Sequence, residues 1–233
     1  MKLLAFETST EACSVALYTD GDVVERFEIA PRRHTELALP WVEALLDEAG
    51  IARSQLDAIA VGRGPGAFTG VRLAIALGQG VALAIDRPLI PVSTLAALAA
   101  ATPREEGAQA RILAAIDARM GEVYLGAFMR QGEDLVALSA ETVVKPDAAE
   151  VAEAGSWYGV GTGFAAVDNA LQQRFSGRLR YVDAQALPHA ANVAKLALRA
   201  WQRGEALAPE LVEPAYLRND VALTLAQQQA KRA

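Results

Sequence analysis

Short apolar runs alternate with polar punctuation along this chain, and the periods of those runs predict an α/β order. Residues 3–6 are continuously apolar, as in a strand buried on both faces. Residues 13–18 alternate with period two, and Asp20-Gly21 is a two-residue hairpin signal leading into a third strand over 23–29. Pro31-Arg32-Arg33-His34 breaks the pattern. Thr35 then reads as the N-cap of a helix to Ala49, with Gly50 as its left-handed stop and Pro40 expected to bend it or delay its start. Residues 54–61 return to a strand, a glycine-rich turn follows, and residues 70–85 read as a helix that is apolar nearly all round. A short strand over 88–92 and a small helix over 95–101 precede the polar break 102–107, which marks the boundary between two lobes.

The second half starts again with strands, over 111–117 and 122–129, joined by the tight turn Arg119-Met120-Gly121. A third strand is predicted over 135–144, a short helix opens at Pro146, and a strand over 157–160 runs into Gly161-Thr162-Gly163. Helices over 164–175 and 189–202, an extended piece over 213–218 and a frayed polar tail over 227–233 complete the reading. Both halves run hairpin strands, helix, strand, glycine turn, helix, so the pattern predicts a duplicated α/β architecture. The lobes are expected at 1–104 and 105–210, with a C-terminal segment at 211–233.

The turn Gly62-Arg63-Gly64-Pro65-Gly66-Ala67-Phe68-Thr69-Gly70 leads from a strand into a helix, a geometry that brings backbone N–H groups to a helix start, where phosphates bind. It fails the sharper tests. No lysine lies between Lys2 and Lys145, position 69 breaks the dinucleotide fingerprint, and no acid for a ribose ends the next strand. Gly70, Ala74, Gly78 and Ala82 recur every four residues and form a thin stripe for close backbone packing. Packing is thus favoured over phosphate binding. Glu7-Thr8-Ser9-Thr10-Glu11 offers a carboxylate and three hydroxyls in a strand turn, but no glycine, and reads first as a self-bonding Ser/Thr turn. The alternative is an ATP-dependent kinase or phosphohydrolase using Glu7, Glu11 and the turns at Gly64 and Gly161.

Composition narrows the classes. Apolar residues make up 52% of the 233 and charged residues 21%, which predicts a real core. The net charge of -6 argues against strong nucleic-acid binding by this chain alone. The single cysteine, Cys13, excludes an internal disulfide and a zinc site built on cysteines, and fits a cytosolic protein. Four apolar residues before Glu7 are too few for a signal-peptide core, and no run reaches a membrane span. His34 and His189, the two histidines, exclude a histidine pair on one helix, so no metal is expected. The helix after Thr35 carries Leu37, Trp41 and Leu45 on one stripe and Val42, Leu46 and Ala49 on the next. That width fits a broad core face and a partner surface equally.

Leu4-Ala5-Phe6-Glu7-Thr8-Ser9, Arg33-His34-Thr35-Glu36 into Leu39-Pro40, Gly64-Pro65-Gly66-Ala67-Phe68-Thr69-Gly70-Val71-Arg72, Pro91-Val92-Ser93-Thr94-Leu95 and Pro214-Ala215-Tyr216-Leu217-Arg218 resemble the bacterial TsaB (YeaZ) family. The resemblance is densest in the first hundred residues. It implies a two-lobed α/β fold of the actin, sugar-kinase and Hsp70 type. It also implies membership in the cytoplasmic machinery that makes threonylcarbamoyladenosine at position 37 of tRNA. The relative TsaD performs the transfer with a metal held by a histidine pair, which this chain lacks, and the acidic-Gly-Thr phosphate loop is altered to Glu7-Thr8-Ser9-Thr10. The resemblance therefore implies a non-catalytic activator of a TsaD-like transferase, acting with a TsaE-like ATPase. ATP and Mg²⁺ are used by the complex rather than held by this chain, and tRNA is met only through it. Family contacts with TsaD, or in a homodimer, carry over to His34, Glu36, Leu37, Pro40, Trp41, Leu45, Phe68, Val71, Arg72 and Ile75. The family has also been called peptidase-like, and nothing in these residues supports peptidase chemistry.

Overall fold

The computed structural model describes residues 1–102, 110–151 and 155–218, so the predicted lobe boundary at 104/105 and the tail 227–233 lie outside the described residues. Strands β1 (Lys2–Glu7), β2 (Ala12–Thr19) and β3 (Asp22–Ile29) form an antiparallel meander. Its second turn is the predicted Asp20-Gly21, both residues with positive φ, as a two-residue hairpin connection requires. Helix α1 (His34–Ala49), strand β4 (Ala58–Gly62), helix α2 (Phe68–Ala84), strand β5 (Leu89–Val92) and helix α3 (Thr94–Ala100) follow. β4 and β5 add in parallel on the far side of β1, giving the order β3-β2-β1-β4-β5.

The second sheet repeats this plan. Strands β6 (Arg111–Arg119), β7 (Glu122–Gln131) and β8 (Asp134–Ala137) form the meander, and β9 (Thr142–Val144) also pairs with β7. Strand β10 (Trp157–Val160), helix α4 (Ala166–Arg174), strand β11 (Leu179–Asp183) and helix α5 (Ala190–Gln202) complete it, in the order β11-β10-β6-β7-β8. The parallel and antiparallel pairings match strand for strand, so the duplicated two-lobed actin, sugar-kinase and Hsp70-like plan is present.

Two helices cross between the lobes. α3 buries Leu95, Leu98 and Ala99 against Ile112, Ala114 and Phe128 of the second sheet. α5 buries Ala190, Val193, Ala194 and Ala197 against Leu3, Ala5 and Ala16 of the first. α1 and α2 cover the other face of the first sheet with Val42, Leu45, Leu46, Val71, Ala74 and Ile75.

Several boundaries differ from the sequence reading. α1 starts at His34, and its N-cap is Arg33 with no side-chain bond, so Thr35 is not the cap. Pro40 sits inside α1 without delaying it; Gly50, with φ 63°, ends the helix as expected, its N–H and that of Ile51 returning to the last turn. α2 starts two residues before Gly70. The strand predicted over 135–144 is two short strands, β8 and β9, which pair with separate stretches of β7, and Glu141 between them accepts the hydroxyl of Ser93, the N-cap of α3. The helix predicted over 164–175 is broken: Val167, Asp168 and Asn169 take left-handed dihedrals. Strand β11 went unread in the sequence, being a short edge strand defined by its pairing with β10.

Candidate functional site

The glycine turn closes on the chain's own backbone. A Cβ on Gly70 would stand 2.0 Å from the Thr8 carbonyl oxygen, and one on Gly66 2.5 Å from that of Ser9. The Ala67 N–H donates to the Ser9 carbonyl at 2.7 Å, and the Thr8 hydroxyl donates to the Gly70 carbonyl at 2.7 Å. The turn after β1 is thus zipped onto the start of α2. Three backbone donors of the junction are engaged within it: Arg63 N–H with Val92, Gly64 N–H with the Thr94 hydroxyl and Ser9 N–H with Glu7.

Glu7 sits at the centre of this junction, 1% exposed. It accepts the Ser9 hydroxyl at 2.5 Å and the Thr94 hydroxyl at 3.1 Å, while a Cβ on Gly62 would fall 1.9 Å from its carboxylate. Burial raises its pKa, and the bonds from Ser9 and Thr94 offset only part of that rise. A carboxylate sealed in this way is packed against the glycine turn rather than offered to a ligand. Glu11, the second acid of the kinase alternative, is exposed.

The second glycine turn behaves alike. Cβ atoms on Gly161 and Gly163 would stand 2.2 Å from the Ala115 carbonyl oxygen and 2.7 Å from the Ala115 Cβ of β6. The Gly161 N–H donates to Asp183 at 2.8 Å, and Thr162 accepts the Asp117 N–H at 3.2 Å.

The predicted interface residues divide into two groups. Leu45, Val71 and Ile75 are at most 5% exposed and belong to the core. Trp41 and Leu37 are half-buried against that same core, which makes the wide apolar stripe of α1 chiefly a core face. His34 is occupied by its own fold: its Nε2 lies 3.0 and 3.1 Å from the carbonyls of Thr10 and Ala12, both acceptors, so it donates and pins α1 to the first turn. Glu36, Pro40 and Phe68 are exposed, and Phe68 is 70% open. Arg72 is half-buried, stacked 3.3 Å over the Phe68 ring and 2.5 Å from the Tyr216 hydroxyl.

Residues outside the sequence prediction complete the outward face. Leu39 of α1 and Leu83 of α2 are 47% and 61% exposed. Between Phe68 and Leu83, Ala76 and Gly80 also face outward, and a Cβ on Gly80 meets nothing within 4 Å. α2 therefore carries two small-residue stripes. The one read from sequence packs inward, with Gly78 against Val61; the outward one has the same helical spacing.

Behind this face lies an interlobe cleft of about 1080 Å³, lined by the first turn, the start of α2, the β6–β7 turn and the stretch Pro214–Arg218. At the other end of the molecule, Glu25 of β3 joins α5 to the first sheet. It accepts from Ser14 at 2.6 Å and the Ala191 N–H at 2.9 Å, and lies 2.9 Å from His189 Nδ1, whose ring stacks on Phe27. Burial pushes the Glu25 pKa up, but those bonds outweigh it and the carboxyl stays below its ordinary value. Cys13 is buried, and burial with the nearby Glu28 charge pushes its thiol up to about 11, which suits packing rather than nucleophilic chemistry. Among the described residues no helix is long and apolar enough to cross a membrane.

Comparison with known proteins places this geometry. A family model described as TsaD, tRNA N6-adenosine threonylcarbamoyltransferase, matches residues 27–225. The Escherichia coli tRNA threonylcarbamoyladenosine biosynthesis protein TsaB is 42% identical over 95% of this chain and 96% of its own. The Haemophilus influenzae protein of the same name is 38% identical over 95% of each chain. A crystal structure of a Pseudomonas aeruginosa protein with similarity to peptidase YeaZ superposes with a TM-score of 0.86 at 48% identity, covering 93% of this chain and 99% of that one.

Proposed function

The chain belongs to the TsaB (YeaZ) family, and we propose that it serves tRNA threonylcarbamoyladenosine formation as a non-catalytic subunit that docks on and activates a TsaD-like transferase. A TsaE-like ATPase joins the complex, ATP and Mg²⁺ are used there, and tRNA is met through the assembly in the cytoplasm. One observation carries this reading: both glycine turns are packed backbone to backbone on the chain itself, while the adjoining helices leave apolar residues exposed. The exposed residues are Phe68, Ala76, Gly80 and Leu83 on α2 and Leu39 and Pro40 on α1. On α2, small residues at the centre and larger ones at the ends suit a partner helix.

The test is reconstitution of the tRNA modification from purified TsaD, TsaE and tRNA with and without this chain. Modification at an undiminished rate without it would sink the proposal. Leu83→Asp should leave the chain folded and weaken TsaD binding about tenfold or more, the scale of one interface hot spot. Val71→Asp, by contrast, places a charge in the core and should unfold the chain.

A further inference from the structure

The lobes are tied at two levels. At the base, α3 and α5 each pack on the opposite lobe's sheet, so relative motion there disturbs buried apolar contacts. At the mouth of the cleft the tie is a strap, residues 205–218, which leaves α5 and runs along the first lobe. Leu207 exchanges two 2.9 Å backbone bonds with Leu89 at the edge of the first sheet. Gln79 of α2 donates to the carbonyls of Pro209 and Val212, and the Val212 side chain enters the first lobe's core. The Ala215 N–H then donates to the Arg63 carbonyl at 2.9 Å, and Tyr216 meets Arg72. Every one of these fastenings is to the first lobe.

Arg218 is different. Its guanidinium reaches the β6–β7 hairpin of the second lobe, donating to Glu122 at 2.5 Å and to the Ala118 carbonyl at 3.2 Å, with Nη1 3.6 Å from Met120 sulfur. The pair is sheltered, its side chains 17% and 31% exposed, so it is screened less than a surface pair. The cleft is lined by both anchors of this span, Arg72 and Tyr216 on one side and Ala118 and Arg119 on the other.

We propose that the strap is a latch: the Arg218–Glu122 pair holds the cleft at its present width, and breaking it lets the lobes swing apart about the α3–α5 base. Because the strap is bonded along α2, whose outer face the Proposed function assigns to a partner, docking there and opening of the cleft are linked. That second clause rests on the partner reading; the latch itself does not. By linkage, whatever releases the latch changes affinity at α2, and the partner changes the latch by the same factor.

The experiment measures the spin-label distance between Thr35→Cys and Ala165→Cys, two exposed cleft-lining positions on opposite lobes, in the full chain. Arg218→Ala and Glu122→Gln should each give a longer and broader distance distribution. The swap Glu122→Arg with Arg218→Glu should restore much of the original one. Arg203→Ala, which breaks an exposed pair with Glu205 at the strap's root, should leave it unchanged. An unchanged distribution in Arg218→Ala with the fold intact by circular dichroism overturns the latch, as does an equal shift in Arg203→Ala. Adding TsaD to the labelled chain with the Arg218–Glu122 pair intact separates the second clause: binding that leaves the distances unmoved overturns the coupling with the latch intact, and absence of binding by the unlabelled chain overturns the partner reading alone.

Discussion

The two lobes share one strand plan and differ in everything built on it. In the first, β1 and β2 are joined by the four residues Thr8 to Glu11, and the sheet carries helices of 16 and 17 residues. In the second, β6 and β7 are joined by the two-residue turn Met120-Gly121, and among the described residues the element before β10 is the 3-10 turn Pro146–Ala148. The counterpart of α2 is the nine-residue α4, entered through a left-handed turn. Yet both glycine turns do similar work, pressing backbone onto the first strand of their sheet or the turn that leaves it: Gly66 and Gly70 on Ser9 and Thr8, Gly161 and Gly163 on Ala115. The shared glycines therefore serve the strand plan. The long helices of the first lobe, without a counterpart of that length among the described residues of the second, carry the exposed apolar residues Leu39, Phe68 and Leu83.

The sharpest way to break this comparison is to fill the two close approaches. Gly70→Ala and Gly161→Ala should each destabilise by about 3 kcal/mol or more, since backbone cannot yield as a side chain can, and a large drop in thermal midpoint for both would equate the turns. A midpoint near wild type for either would show that its turn has room. Next in size is Glu25→Gln at the α5 anchor, where disturbing a sheltered, multiply bonded carboxylate should cost about 1–3 kcal/mol by urea titration. Gly80→Ala, on the outward stripe of α2, should instead stabilise the free chain by about 1 kcal/mol, because the added methyl meets open space within a helix. Smallest is Arg119→Ala, which removes an exposed ion pair with Asp117 and should move stability by less than about 0.5 kcal/mol.

The buried Glu7 and the half-buried Glu25 sharpen the contrast through pH. Glu7 has a folded pKa above its ordinary 4.5, so the native state holds that proton more tightly. Its contribution is full below pH 4.5 and is lost as pH rises through the folded value. Glu25, which joins α5 to the first sheet, is shifted down from 4.5. Its contribution is present above 4.5 and is lost as pH falls through the folded value. Urea midpoints across pH should therefore lose their alkaline-side decline in Glu7→Gln and part of their acid-side decline in Glu25→Gln.

Most of the strand plan was legible in the residues, because buried runs such as Leu3 to Phe6 and turn pairs such as Asp20-Gly21 carry their own local signals. Edge strand β11 and the split of β8 from β9 were not, since their limits depend on pairing with the distant strands β10 and β7. Of the residues named from sequence, Phe68, Pro40 and Glu36 are exposed, while the exposed Leu39 and Leu83 were not named. Apolar spacing alone does not separate the face of a nearly all-apolar helix that meets its sheet from the face that meets solvent.

By itself the sequence determined the duplicated order, the family and the absence of a lysine in the glycine turn and of a histidine pair on one helix, because residue identity and local periodicity settle these. Only the tertiary structure decided what the glycines touch, which stripe of α2 looks outward, and that Arg218 spans the lobes. Those depend on how distant segments approach, and no local preference of the chain encodes a distance.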